Sequence, residues 1–156
     1  MSDYGLLLRT FHIEVQKDGF PPEYDQLNDA APYFLAAEDY TIEPNEKKIL
    51  RTGCHIKYPD IEFAMVYSPM PQLLLEGLML FDNNRIIDSW DNTELHCMIW
   101  NTTDEPKTIK RGQRIFRGAI VLTSHASFVD ADTEYVTSWK PEDELPANRI
   151  RWKLIR

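Results

Sequence analysis

One carboxylate in this 156-residue chain has a setting that could do chemistry. Asp88 closes a short apolar pair, Ile86-Ile87, instead of lying in an acidic run. A carboxylate presented at the end of a strand can take a proton from a bound water and serve as a general base. An Asp followed by Ser also caps turns through local backbone hydrogen bonds. Both roles are open on the residues alone. The four histidines, His12, His55, His96 and His125, never pair at i, i+4, and the two cysteines, Cys54 and Cys97, form no Cys-x-x-Cys, so no metal site is expected. The serines lack a Gly-x-Ser-x-Gly setting. With six glycines and no P-loop or dinucleotide fingerprint, a phosphate cradle of those kinds is absent.

The elements around Asp88 read as β-structure. An apolar run from Gly77 to Phe81 enters the turn Asp82-Asn83-Asn84-Arg85. Ile86-Ile87 then delivers Asp88, and Thr93 to Trp100 forms the next strand. Trp100 is expected in the core. Trp90, in the turn after Asp88, is expected at the surface, where an indole favours a binding role.

Strands are also expected at Leu6–Val15, Tyr33–Ala37, Tyr40–Ile42, Lys48–Arg51, His55–Tyr58, Glu62–Tyr67 and Arg114–Thr123. A bend at Thr52-Gly53 divides the fourth from the fifth. Ser68-Pro69-Met70-Pro71 should stop the strand before it, because prolines do not fit a central strand. Gln72–Leu75 has room for one helical turn. Lys110-Arg111-Gly112-Gln113 reads as a tight loop, with the glycine placed for positive φ. Many short strands separated by turn signals predict an all-β sandwich or barrel.

The length suits one domain with a real core. We place it at residues 1–137, followed by an extended arm over 138–156. That arm is rich in prolines and acids until Asn148. It then alternates basic and apolar residues through Arg149, Ile150, Arg151 and Trp152, like an edge strand joined to a partner's sheet. The net charge of −8 argues against general nucleic-acid affinity. No apolar run is long enough to cross a membrane as a helix, and no signal peptide is read at the start. Two buried thiols in a reducing cytoplasm are therefore expected. Asn101-Thr102-Thr103 fits a glycosylation sequon.

From about Ala36 to Val121 the motif order resembles the trimeric dUTPase (dUTP pyrophosphatase) family. AEDYTIEPNEKKILRTGCHIKYP is similar to that family's first hairpin region. EGLMLFDNNRIID resembles the run into its uracil-binding hairpin, LHCMIWN the strand after it, and IKRGQRI its Gly-x-Arg-Ile motif. The resemblance implies a β-clip fold, a distorted barrel or jelly roll of short strands, assembled as a homotrimer with an exchanged C-terminal arm. It also implies hydrolysis of dUTP to dUMP and pyrophosphate. In that reaction an Asp, here Asp88, activates water, Mg²⁺ clamps the triphosphate, and residues from three subunits build each site.

Other motif positions depart from the family pattern. Pro32-Tyr33-Phe34-Leu35 lacks the Asp of the first motif. Ser68-Pro69-Met70-Pro71 stands for the phosphate-binding Pro-Arg-Ser-Gly. The sugar-stacking tyrosine falls at Asp91, the Gln of the fourth motif at Arg117, and the C-terminal Gly-rich motif is missing. Losing one such donor typically costs about 10²–10³ in rate, and a lone general base contributes about 10²–10⁴.

The expectation is a protein that does not hydrolyse dUTP and acts by binding another protein, as a regulator or an assembly subunit of viral or phage type. Trp90, Arg149, Arg151 and Trp152 are then its contact residues. It would need no cofactor and would reside in the cytoplasm or the virion. Two alternatives are a divergent nucleotide pyrophosphatase using Asp88 and Mg²⁺, and a binder that holds nucleotide without turnover. In either, Asn83, Arg85, Arg114 and Arg117 would contact the nucleotide.

Overall fold

A computed structural model describes residues 11–26, 28–57 and 63–123, and the backbone of 128–129 and 134–135. Among the described residues there are twelve strands and one short helix. They are β1 His12–Val15, β2 Tyr33–Leu35, β3 Tyr40–Ile42, β4 Lys47–Lys57, β5 Phe63–Pro69, α1 Pro71–Leu75, β6 Leu78–Leu80, β7 Ile86–Asp88, β8 Leu95–Asn101, β9 Lys107–Ile109, β10 Arg114–Leu122, β11 Phe128–Val129 and β12 Glu134–Tyr135. By compactness the chain divides into Met1–Thr123 and Ser124–Arg156. The second unit holds the β11–β12 pair. The arm expected over 138–156 lies outside the described residues.

The first unit is built on two four-stranded antiparallel sheets, ordered β1-β4-β8-β6 and β2-β10-β5-β7, with β3 and β9 as a separate pair. The all-β expectation holds. A closed barrel does not: the described sheets are open, with β1 and β6 ending one and β2 and β7 the other.

Alternation explains which side chains meet between the sheets. On β8, Leu95, Cys97, Ile99 and Asn101 are buried, and His96, Met98 and Trp100 face outward. The inward set joins Leu50, Ile56, Leu78 and Leu80 from its own sheet. Phe34, Met65, Tyr67, Ile87, Ile115 and Phe116 from the other sheet complete one cluster. The rings of Phe34 and Phe116 stack at 5.0 Å, and Tyr67 lies against Phe116 at 4.1 Å. Burial of each such side chain is worth about 1.5–3 kcal/mol. Cys54 and Cys97 are both buried and unbridged, and burial pushes both thiols up from their ordinary value.

Three local expectations are corrected. Lys48–Arg51 and His55–Tyr58 are not separate strands: β4 runs unbroken, and Thr52-Gly53 is a bulge where the register with β8 shifts between Arg51 and Cys54. Gly53 has φ +70°, and a Cβ there would lie 2.6 Å from the Gly19 Cα, so the bulge needs glycine. Pro69 ends β5, in register with Phe116. The proline is accommodated because β7 pairs only Ala64 to Val66 of β5, which leaves that end of the strand an edge. Trp100 is not core. It falls on the outward parity of β8, its Nε1 donates to Asn45 Oδ1 at 3.1 Å, and its ring meets Phe81 edge-on.

Asn101 takes the inward position at the end of β8, with 0% exposure. Its Nδ2 donates to the carbonyls of Ile42 (2.9 Å), Glu43 (3.2 Å) and Glu105 (2.8 Å). Its Oδ1 accepts from the Thr103 backbone N–H at 3.0 Å and the Thr103 hydroxyl at 2.7 Å. The Asn-Thr-Thr sequence is therefore a turn-building device. Asn101→Ala would leave several buried groups unsatisfied, and is expected to cost about 2–4 kcal/mol. The urea midpoint should fall with little change in the slope of the transition.

Candidate functional site

Two regions could carry chemistry, and within one chain they are separate. The first is the hairpin between β6 and β8. Asn84 adopts φ 59°, which lets the turn reverse tightly. The Asp82 Oδ1 accepts from the Met98 N–H at 2.9 Å, tying the turn to β8. β7 then pairs with β5, Ile87 facing inward and Asp88 outward as the last strand residue. Asp88 is exposed, and its carbonyl accepts from the Asp91 N–H at 3.0 Å in the following turn. Trp90 is 59% exposed, as expected, and Asn83 is exposed at the turn.

Arg85 does not extend toward solvent. Its Nη1 donates to His96 Nε2 at 2.9 Å and lies 3.7 Å from an Asp82 carboxylate oxygen. Its guanidinium sits over the Tyr67 ring at 5.9 Å. Arg85 thus lies half-buried across the hairpin, held by the chain's own side chains on the outward face of β8. Beneath it the Tyr67 hydroxyl is buried without a hydrogen-bond partner among the described residues, and burial pushes its phenol well up from the ordinary value.

The second region is a cleft of about 350 Å³ between β2, β10 and α1, lined by Asp25, Tyr33, Met70, Leu73, Gln113 and Arg114. Met70 and Leu73 are buried and form its apolar side. Arg114 is fastened from two directions. Its Nε donates to Glu23 Oε1 at 2.7 Å, and its Nη1 and Nη2 donate to the two Asp25 oxygens at 3.0 and 2.6 Å. The guanidinium also covers the Tyr33 ring at 4.1 Å. Arg117 lies over the same ring at 4.9 Å and donates from Nη2 to the Ala31 carbonyl at 3.1 Å, while its Nε is buried without a partner among the described residues. Both arginines that could meet a phosphate here are committed to neighbouring groups.

The hydrogen bond from Arg114 holds the Asp25 carboxyl below its ordinary value of 3.8. A depressed carboxylate value means that the pair contributes fully above the ordinary value and fades as pH falls through the lower, folded one.

The sheet order separates the two regions. Asp88 is on β7, and Arg114 and Arg117 are on β10, with β5 between them. Asp88 is opposite Ala64 on β5, and Arg117 is opposite Ser68. Two strand spacings and four residues of offset place Asp88 and Arg117 on the order of 15 Å apart. Among the described residues no group of three or more His, Cys, Asp or Glu could hold a metal ion. Arg149, Arg151 and Trp152 lie outside the described residues.

Sequence reasoning missed Glu23, Asp25 and Leu73, and the partnership of Arg85 with His96 and Asp82. The partners of Arg114 are 89 and 91 positions away in the chain, so no local spacing could have signalled them.

Solved structures share this architecture. The dUTPase of Staphylococcus bacteriophage 80alpha superposes with a TM-score of 0.70 at 18% identity, covering 80% of this chain and 97% of that one. The dUTPase from phage phi11 of S. aureus gives 0.70 at 16%, covering 84% and 100%. The fold is thus that of the all-β dUTPases. In sequence, the deoxyuridine 5'-triphosphate nucleotidohydrolase of Thermobifida fusca is 27% identical over 136 residues, 85% of this chain and 76% of that protein. The Neisseria meningitidis enzyme of the same name is 32% identical over 106 residues, 67% and 70% of the two chains. The dUTPase family model matches residues 23–149, and the chain belongs to the dUTPase family.

If the two carboxylates hold Arg114 away from anions, removing their charge should free it. Glu23→Gln with Asp25→Asn is expected to raise affinity for inorganic tripolyphosphate at least about tenfold, the energy of one charge-assisted hydrogen bond. Titration calorimetry at pH 7 checks this.

Proposed function

We propose that this dUTPase-family protein does not hydrolyse dUTP and works as a protein-binding subunit, with the fold retained as a scaffold. The observation that carries the reading is the state of its arginines. Arg114 is clamped by Glu23 and Asp25, and Arg117 is bound to Ala31. Arg85 is bonded to His96 across the hairpin that resembles the uracil-binding one. Phosphoryl chemistry depends on positioned positive charge, and among the described residues these three arginines are already bonded to neighbouring groups. Met70, standing where the phosphate motif of the family has its Ser, is buried in the core cluster.

The exposed side of the hairpin supports the protein-binding half of the reading. Ile86 (65% exposed) and Trp90 (59%) flank Asp88, on a strand whose other edge no described strand covers. Aromatic and branched side chains beside a free strand edge suit contact with another chain. The phage 80alpha dUTPases that share the fold are described as controlling transfer of virulence genes by a proto-oncogenic G protein-like mechanism. The family resemblance further implies a homotrimer. Such an assembly is also the arrangement in which Asp88 of one copy could approach the cleft of another.

A second reading is a divergent dUTP pyrophosphatase using Asp88 with substrate-bound Mg²⁺. Family membership and the exposed Asp88 carboxylate favour it. A third outcome is nucleotide binding without turnover. One assay separates the three. With dUTP and Mg²⁺ at high protein concentration, pyrophosphate release is expected to match that of Asp88→Asn, and dUTP is expected to give no thermal shift. Release abolished in Asp88→Asn would establish the enzyme, and a thermal shift without product would establish the binder.

A further inference from the structure

The hairpin that carries Asp88 is fastened by a bond that only a neutral histidine can accept. Arg85 has donors alone, so His96 Nε2, 2.9 Å from its Nη1, must be the acceptor. The other ring nitrogen, Nδ1, lies 2.9 Å from the Glu94 carbonyl, which accepts, so Nδ1 carries the proton. Both ring positions are thereby assigned, and no second proton can be added at Nε2 without aiming an N–H at a guanidinium.

We propose that Arg85 and His96 form a proton-operated clasp, in which the neutral ring of His96 holds Arg85 across the hairpin and protonation of that ring releases it. The charged and titratable groups facing His96 come from each neighbouring element. The turn contributes Arg85 and Asp82, and β5 contributes Tyr67 beneath the guanidinium. β4 contributes Arg51, the register partner of His96, whose own guanidinium is taken up by Glu94. On β8, Cys97 points to the opposite face. Protonation places two cations 2.9 Å apart with one carboxylate, Asp82, to share. Arg85 sits on the turn and His96 inside a paired strand, so Arg85 is the group that moves.

Release has a structural readout. The Arg85 carbonyl accepts from the Tyr67 N–H at 3.1 Å, closing the first rung between hairpin and β5. Loss of the clasp should expose that rung to solvent exchange.

The test uses the full chain with ¹⁵N labelling. At pH 8 the His96 ring is expected as the Nδ1–H tautomer. From pH 8 to pH 5, the Tyr67 amide protection factor is expected to fall at least about tenfold, the loss of one hydrogen bond to a charged group. In His96→Gln the side-chain oxygen still accepts from Arg85 and does not titrate, so Tyr67 protection should be constant over the same range. His55 makes a similar pair of contacts, to Gln16 and the Asn92 carbonyl, and remains as a control in this variant. An Nε2–H tautomer at pH 8, or a fall in protection that persists in His96→Gln, would overturn the proposal. Should the variant fail to fold, the wild-type tautomer and the Tyr67 profile still decide it.

Discussion

The side chain of Glu94 fixes where β8 begins against β4. Its carboxylate accepts the Gly53 N–H at 2.8 Å and pairs with the Arg51 guanidinium at 3.1 Å. Beside it the Thr52 hydroxyl donates to the Leu95 carbonyl at 2.6 Å and accepts from the Cys54 N–H at 3.1 Å. These contacts stitch the bulge at which the two strands change register. A slip of one residue there would exchange the faces of β8, sending Leu95, Cys97 and Ile99 to solvent and His96, Met98 and Trp100 inward. The hairpin depends on the same register, because Asp82 needs the Met98 N–H and Arg85 needs the outward-facing imidazole.

Arg51 carries this constraint to the opposite edge of the sheet. Its Nη2 donates to Gln16, and its Nη1 lies 3.3 Å from Asp18 and 3.4 Å from Glu38. The Tyr40 hydroxyl accepts from its backbone N–H, and burial pushes that phenol up to about 12, so it stays a neutral partner. One guanidinium thus connects the β1–β2 loop, the β2–β3 loop and the start of β8. Individually such half-exposed pairs contribute little. Their value lies in fixing relative positions, and the Gly19–Gly53 contact beside them has no space for a side chain.

Local pattern carried most of the fold. Apolar runs bounded by turn residues marked β3, β5, β6, β7, β8 and β10 to within a few positions, and Gly112 takes the positive φ its loop required. The errors share a cause. Hydrophobicity alone points Trp100 to the core, but its face is set by parity from Leu95, which depends on the bulge. The Thr52-Gly53 bend looked like a strand end because a bulge and a turn use the same residues. Asp88 stands out in the sequence as a carboxylate closing an apolar pair, and the fold places it exposed at the end of β7. The clamp on Arg114 does not stand out, because ion pairs between distant segments exist only after folding. An arginine seen in sequence reads as available charge, and here each of the three has been spent on the fold.

The burial of Asn101 has a consequence for how this protein can be produced. Oligosaccharyl transfer acts on the Asn side-chain amide of an Asn-x-Thr sequence. In the folded chain that amide nitrogen is hydrogen-bonded to three carbonyls, out of reach of any enzyme. Routed through a secretory pathway, the chain would face a race between folding and glycan attachment. A sugar added before β8 pairs would occupy the place of those three bonds and hold the strand end open. Bacterial cytoplasmic expression avoids the race, and secretion in yeast or animal cells would yield a mixture of folded unmodified chains and glycosylated chains that cannot close.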